Sequence, residues 1–443
     1  MKTQPPFSSS IGKRLPLLFV LLAALPPTVF AQSISPLDPP DTAHYLKWGP
    51  VWARPGFAIS DLGYDSNVFA VPDGAKLPDG TPVRPVGDYF VALSPRIRGL
   101  LLFGHRAFLT FDERLEFYAY AQQSEIDYFN NFFNARLTVP FRRFGLYADV
   151  GYDRTRDRPF DAQSIRPLRK DYPLGAGFIV QFGWRSDTAL GYTRTRFSAD
   201  NPSTPCDPSA PSSCAIDNLN DLNDRTEEGV RLQARYLALG RTRVLLDVSR
   251  RTITFNDSGT AAQRNGEERR ELAGCDFGVD GRIFGTFRIG HSNFDLVDPT
   301  ATDFNGLVAD IALGYSFGGS GSRLTLLGAR DVRYTVFDAN PLYVFTGGNL
   351  KLVKYFNRLL GVEMGAGRAT LDFLGDPDGR VDTNTSASLG LLFRISETSL
   401  GRRVEYAFRY TRWSINTRWS VNSTRDDLDQ NRGTIGFGVS FGY

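Results

Sequence analysis

The amino-acid sequence predicts an all-β protein, a transmembrane antiparallel up-and-down β-barrel of eighteen strands, with sixteen as the alternative count. Three observations predict it. Residues 434–443 place Ile435, Phe437, Val439, Phe441 and Tyr443 at every second position, with only Gly, Ser or Thr between them, so one face meets lipid and the other meets water or small side chains. The same period of two recurs in segments along the whole chain after the first fifty residues. The connections between those segments alternate between short turns and long polar loops, the pattern of a bacterial barrel with short periplasmic turns and long extracellular loops.

The elements follow in order. Lys2, Lys13 and Arg14 precede an apolar run from Leu15 to Phe30, and Val29 and Ala31 flank Phe30 at the positions a signal peptidase reads, so residues 1–31 are expected to be a signal peptide cleaved before Gln32. Pro16, Pro26 and Pro27 disfavour a spanning helix there. Losing those three cations takes the formal net charge from +3 to 0, which argues against nucleic acid as a partner. Residues 32–54, with Leu46, Lys47 and Trp48, leave room only for a short periplasmic arm or small plug, and residues 55–443 form the barrel.

Candidate strands lie at 55–66, 88–103, 107–120, 128–140, 144–156, 173–183, 187–197, 226–239, 243–255, 267–280, 283–294, 305–317, 322–337, 342–354, 358–373, 382–395, 402–414 and 432–443. Turn-like connections fall at 104–106, 142–143, 184–186, 240–242, 281–282, 318–321 and 355–357, and long ones at 67–87, 157–172, 198–225, 295–304 and 415–431. The stretch 338–341 is the exception, short where a long loop is expected, and it is the reason sixteen strands stays open.

Charge assigns the faces. Turning Arg231 and Arg235 toward mid-bilayer would cost roughly 4 to 8 kcal/mol, at about 2 to 4 each, so they face inward with Gln233, and Val230, Leu232, Ala234, Tyr236 and Ala238 face lipid. The same logic turns Leu307, Ala309, Ile311, Leu313, Tyr315 and Phe317 outward with Asp310 inward, and Leu360, Val362, Met364 and Ala366 outward with Glu363 inward. It also turns Val404, Tyr406, Phe408 and Tyr410 outward with Arg403, Glu405 and Arg409 inward. Glu113 resists the scheme: if Leu109, Phe111, Leu115 and Phe117 face lipid it does too, unless a bulge shifts the register. Aromatics near strand ends, Tyr64, Tyr89, Phe144, Tyr152, Tyr192, Phe255 and Tyr410, suggest interfacial girdles.

Other chemistry finds little support. Cys206 and Cys214 lie in the longest predicted loop, where a disulfide would staple the tip in an oxidising compartment, and Cys275 reads as a small lipid-facing residue. The G-x-S-x-G match at 438–442 puts Ser440 inside a terminal strand with no helix to follow. His291 and Ser292 could suggest a barrel hydrolase, but His44 and His105 fall elsewhere, and no metal or phosphate motif exists. Asp376, Asp378 and Gly379 fit a turn better than a calcium loop. No catalytic residue, metal or cofactor is expected.

Residues 54–69, Arg-Pro-Gly-Phe-Ala-Ile-Ser-Asp-Leu-Gly-Tyr-Asp-Ser-Asn-Val-Phe, resemble the opening strand of the β-barrel porin and outer-membrane β-barrel proteins often associated with exopolysaccharide export. The resemblance covers those sixteen residues and implies a Gram-negative outer-membrane location and a secreted polysaccharide as solute, with export-system proteins as partners. Read from the residues alone, Asp65, Ser66 and Asn67 form an Asx-rich turn ending the first strand.

A barrel of this size leaves an aqueous lumen unless plugged. The predicted interior mixes Arg231, Arg235, Arg251, Arg394, Arg403 and Arg409 with Asp149, Asp153, Asp247, Asp276, Asp310, Glu363 and Glu405, which suits hydrated polar or saccharide solutes better than a strongly ion-selective filter. The first expectation is therefore a porin-like channel without covalent chemistry; the alternatives are a general diffusion porin and a closed structural barrel. Membrane lipids and the barrel assembly machinery, which would read Val439, Phe441 and Tyr443, are the remaining expected partners.

Overall fold

A computed structural model describes residues 37–442 apart from 43–44, 77–78, 105, 157–166, 201–223, 240–241, 257–262, 279–281, 319–320, 336–340, 396–402 and 419–428. The expected signal peptide, His44, His105, the Cys206 and Cys214 pair and Tyr443 lie outside the described residues.

The strands are β1 Leu46–Trp48, β2 Val51–Asp65, β3 Asp88–Phe103, β4 Ala107–Tyr120, β5 Tyr128–Pro140, β6 Phe144–Thr155, β7 Leu168–Phe182, β8 Ser186–Asp200, β9 Arg225–Leu239 and β10 Thr242–Phe255. They continue with β11 Gly266–Phe277, β12 Ile283–Leu296, β13 Phe304–Phe317, β14 Ser322–Tyr334, β15 Leu342–Tyr355, β16 Leu360–Phe373, β17 Val381–Ile395, β18 Arg403–Arg418 and β19 Gln430–Gly442. From β2 on, each strand pairs antiparallel with the next, and β19 returns to β2 from Thr434↔Asp65 to Gly442↔Gly56. Among the described residues the ring therefore has eighteen strands, the larger of the two expected counts, with the three-residue β1 folded back on the start of β2.

Short connections gather at one end of the ring and long ones at the other. Gly104 and Gly183 turn the chain at the short-turn end with φ of 61° and 72°, a conformation that other residues adopt only at a cost. The barrel starts at Val51 rather than 55, and residue 37 already touches it: a Cβ added to Gly145, at the short-turn end of β6, would run into the Leu37 side chain. A register shift between Ile59 and Asp61 marks a bulge in β2.

The two faces of the closed sheet differ as alternation requires. Leu62, Val230, Leu232, Leu246, Val248, Leu307 and Leu389 are exposed on one face, while pairs such as Arg231–Asp247, Arg235–Asp187 and Arg251–Glu268 stand on the other; toward the long-loop end the first face also carries the pairs Arg194–Glu228 and Arg250–Glu267. Arg270 of β11 reaches Asp331 of β14, and Phe255 of β10 meets Tyr334 of β14 edge to face at 5.0 Å between ring centres. Strands that far apart meet only across the concave side, so the charged face is the interior. Cys275 pairs with Val244 and Phe287 on the outer face, as its size suggested.

Glu113 is settled by register. No shift interrupts β3–β4 or β4–β5, and Glu113 pairs with Ile97 and Phe133 on the apolar outer face, seven residues into the fourteen of β4. Asn131, on the same face of β5, donates its Nδ2 to the Glu113 carboxylate at 3.3 Å.

Tyr64, Tyr89 and Phe144 are exposed on the outer face near strand ends, whereas Tyr192, also exposed outside, sits in the middle of β8. Phe255 is a correction to the expected girdle. It is odd-numbered in β10 like Asp247 and Arg251, faces inward and is buried, because the end of β14 packs against it. Tyr410 holds a register position between Leu389 and Ile435.

Candidate functional site: the barrel interior

The interior of β5–β11 is a ladder of opposite charges built by cross-strand register. Because antiparallel partners share a face, Arg231 of β9 stands beside Asp247 of β10, donating Nε at 2.8 Å, and Gln233 adds a bond to the same carboxylate at 3.1 Å. Arg235 pairs with Asp187 of β8 at 2.6 Å. Nearer the long-loop end, Arg251 bridges Glu227 and Glu268 at 2.5 and 2.6 Å, and Glu268 also takes Arg270 at 2.6 Å and the Ser292 hydroxyl at 2.8 Å. At the β5 and β6 end of this stretch Arg136 pairs with Asp149 at 2.5 Å, and on another part of the wall Lys351 of β15 pairs with Glu363 of β16 at 2.8 Å.

Of the residues expected inside, Arg231, Arg235, Arg251, Asp149, Asp247, Asp276, Asp310 and Glu363 all occupy interior positions, Asp310 directly opposite Arg288. Arg394 is interior and lies 3.7 Å from the centre of the Tyr355 ring. Arg403, Glu405 and Arg409 take register positions opposite Gly442, Ser440 and Gly436, with Glu405 also opposite Arg394. Val439 pairs with Ile59 and Phe441 with Phe57, so the terminal strand closes the ring.

The Arg136, Arg231, Arg251 and Lys351 side chains are between 37% and 51% exposed, while the carboxylates of Asp247, Glu227, Glu268 and Glu363 beneath them are buried. One feature of the interior is not legible in the strand pattern. The β13–β14 ladder runs from Phe317↔Ser322 only to Ala309↔Arg330, while β14–β15 continues to Tyr334↔Leu342. Beyond Arg330 β14 parts from β13, and the end of the β14–β15 hairpin, still paired with β16 to Tyr343↔Phe373, lies over the inner face of β10–β13. Its Val332, Tyr334, Leu342 and Val344 pack against Ile253, Phe255, Phe294, Phe304 and Val308 of β10, β12 and β13, a second layer on the first. The Tyr334 hydroxyl donates to the Arg264 carbonyl at 2.8 Å, Arg264 returns a bond to the Thr335 carbonyl, and Asp331 takes Arg270 at 2.5 Å. Two signals were available, the short connection at 338–341 and the continuous apolar run Leu342, Tyr343, Val344 and Phe345, all four buried.

The Asp65, Ser66 and Asn67 turn is consumed by structure. Asp65 accepts from Arg432 of β19 and from the Asn67 amide, while Asn67 exchanges bonds of 2.9 Å with both the amide and the carbonyl of Val71. That ring of bonds holds Ala70 in the left-handed region at φ 53°. His291 and Ser292 point to opposite faces, His291 to Asn305 outside at 2.7 Å and Ser292 inward, so they form no catalytic pair. Asp376 accepts from the Asp378 amide at 2.8 Å and Gly379 has φ 61°, which is turn chemistry; among the described residues no group of His, Cys, Asp and Glu could hold a metal ion.

No protein-family model matches the chain, and no curated protein matches it. Solved structures similar to it include the outer membrane protein OpdK of Pseudomonas aeruginosa, 9% identical over 88% of this chain and 99% of that one with a TM-score of 0.40. OccAB4 of Acinetobacter baumannii is 10% identical over 88% and 98% with a TM-score of 0.39. The ferric enterobactin receptor PfeA of Pseudomonas aeruginosa, a mutant form, is 7% identical over 88% and 80% with a TM-score of 0.38.

Proposed function

We propose that the chain is an outer-membrane channel, porin-like, that passes polar solutes through a charged aqueous lumen in a Gram-negative bacterium. The observation that carries this is the sorting of the two faces of one closed sheet: apolar side chains exposed outside, and the pairs Arg136–Asp149, Arg231–Asp247 and Lys351–Glu363 inside with their cations partly open to water. Alternating signs along the wall favour hydrated, neutral or weakly charged solutes, and the resemblance at residues 54–69 favours secreted polysaccharide among them. The wall itself performs the function; no bond is made or broken, and Arg231, Arg235, Asp247, Asp310, Glu363 and Arg394 line the route.

Planar-bilayer recording tests it. Purified protein should give discrete conductance steps that oligosaccharides block, and Asp247→Asn, which frees the half-exposed Arg231, should shift selectivity toward anions. Export loss on deletion of the gene would distinguish polysaccharide passage from general diffusion of small solutes. Protein that inserts yet conducts under no condition would overturn the channel and leave a closed structural barrel, the reading that the packed tip of β14 and β15 favours.

A further inference from the structure

We infer that Arg136, Tyr147 and Arg231 form a shelf on the inner wall that binds a carboxylate-bearing saccharide. This rests on the channel reading above and names the class of solute that the wall holds. The shelf is a row in register. Tyr147 of β6 stands opposite Gly177 of β7, Gly177 opposite Gly191 of β8, and Gly191 opposite Arg231 of β9. The Tyr147 hydroxyl reaches two strands over: a Cβ added to Gly177 or to Gly191 would collide with it. The ring therefore lies along the wall rather than upright in the lumen. At Gly191 no other residue would come nearer to that Cβ than 3.8 Å, so the missing side chain there makes room for the tyrosine and for nothing else.

Each end of the row is a guanidinium held in place. Arg136 of β5 donates Nε and NH2 to the two Asp149 oxygens at 2.5 and 3.0 Å, and its Cζ lies 4.7 Å from the centre of the Tyr147 ring. Arg231 donates Nε and NH2 to Asp247 in the same forked manner. Among the described residues, NH1 of either arginine and the Tyr147 hydroxyl have no hydrogen-bond partner. The arginine side chains are 51% and 48% exposed, and their carboxylates less so, Asp149 at 32% and Asp247 at 3%. The pairs cancel in net charge, yet the lumen meets donors, because the arginines lie over the acceptors. An acceptor-rich solute suits that surface, and a carboxylate can take two parallel N–H bonds from the unused end of a guanidinium. Side chains already fixed by their own partners cost little further ordering on binding. From β6 to β9 is three strand spacings, about 14 Å, so a short chain of sugar rings is needed to touch the whole row.

Titration calorimetry on the full-length protein in nanodiscs tests the shelf, with trigalacturonate and its methyl ester as probes. The acid should bind about tenfold more tightly than the ester, the worth of one charge-assisted pair. Arg231→Gln combined with Asp247→Asn keeps the net charge and should erase that preference. Tyr147→Phe, which removes only the hydroxyl, should weaken the acid several-fold. Lys351→Gln with Glu363→Gln, a luminal pair away from the row, should leave both probes unchanged. Heat-modifiable gel mobility identifies folded protein in each case. Equal binding of acid and ester, or equal weakening by the Lys351 and Glu363 changes, would overturn the shelf. Single-channel recording separates this from the channel reading. Conductance without acid binding leaves the channel and overturns the shelf; acid binding without conductance supports the shelf and overturns the channel.

Discussion

Replacing Arg432 with leucine should unlatch the barrel at the seam where its two ends meet. Asp65, at the end of β2, is 1% exposed, and both of its carboxylate oxygens accept from the Arg432 guanidinium of β19, with Nε at 2.9 and 3.0 Å. Its other described partner is the Asn67 amide at 3.0 Å. Arg432→Leu leaves a buried carboxylate with that one donor, and breaking a buried pair by removing one partner costs about 3 to 5 kcal/mol. The guanidinium is a quarter exposed, so the lower end applies. The expected loss is about 3 kcal/mol, on the order of a hundredfold in the folding equilibrium. Urea-dependent folding into lipid vesicles, followed by the mobility of unheated samples on gels, measures it. Arg432→Leu combined with Asp65→Asn should recover most of the loss, since the uncompensated charge is then gone. A single variant within about 0.5 kcal/mol of the parent, the usual range for an inconsequential surface change, would refute the reasoning, as would a double variant no better than the single one.

Three further outcomes follow from the faces and the rim. Leu232→Arg, on the outer face, should destabilise folding into vesicles by about 2 to 4 kcal/mol, while Gln233→Arg, one residue along and inside beside Asp247, should leave it nearly unchanged. Glu113→Leu should stabilise the barrel by about 1 kcal/mol in the same assay, because a carboxylate among Ile97, Phe111, Leu115 and Phe133 opposes insertion, though less than a cation does. Asn67→Ala should cost about 1 to 3 kcal/mol, since the buried amide and carbonyl of Val71 both lose their partner.

Much of the architecture was legible because misplaced charge is so costly in a bilayer. Arg231 and Arg235 pinned β9, Asp310 pinned β13 and Glu363 pinned β16, and once those faces were fixed the strand limits fell close to Asp88–Phe103, Tyr128–Pro140 and Phe304–Phe317. The interior charges were legible for the same reason, though not their pairing, which depends on register between neighbouring strands. Phe255 was misplaced although its parity matched Asp247 and Arg251, because an aromatic at a strand end suits a girdle equally well. The tip of β14 and β15 was legible only in part. Leu342, Tyr343, Val344 and Phe345 form a continuous apolar run, buried throughout, as a strand covered on both faces requires, but the partners that cover it, Phe255, Phe294 and Phe304, lie distant in sequence. Period-2 patterning names a face; it does not say which layer the face belongs to.

Alternating solvent access along β9 is the most direct test of the central claim. Single cysteines at positions 230 to 236, in protein inserted into vesicles, would be treated with a charged, membrane-impermeant maleimide. Labelling at 231, 233 and 235 and protection at 230, 232, 234 and 236 is the outcome that an aqueous interior and a lipid-facing exterior require. Equal labelling along the strand, or the reverse alternation, would contradict the account.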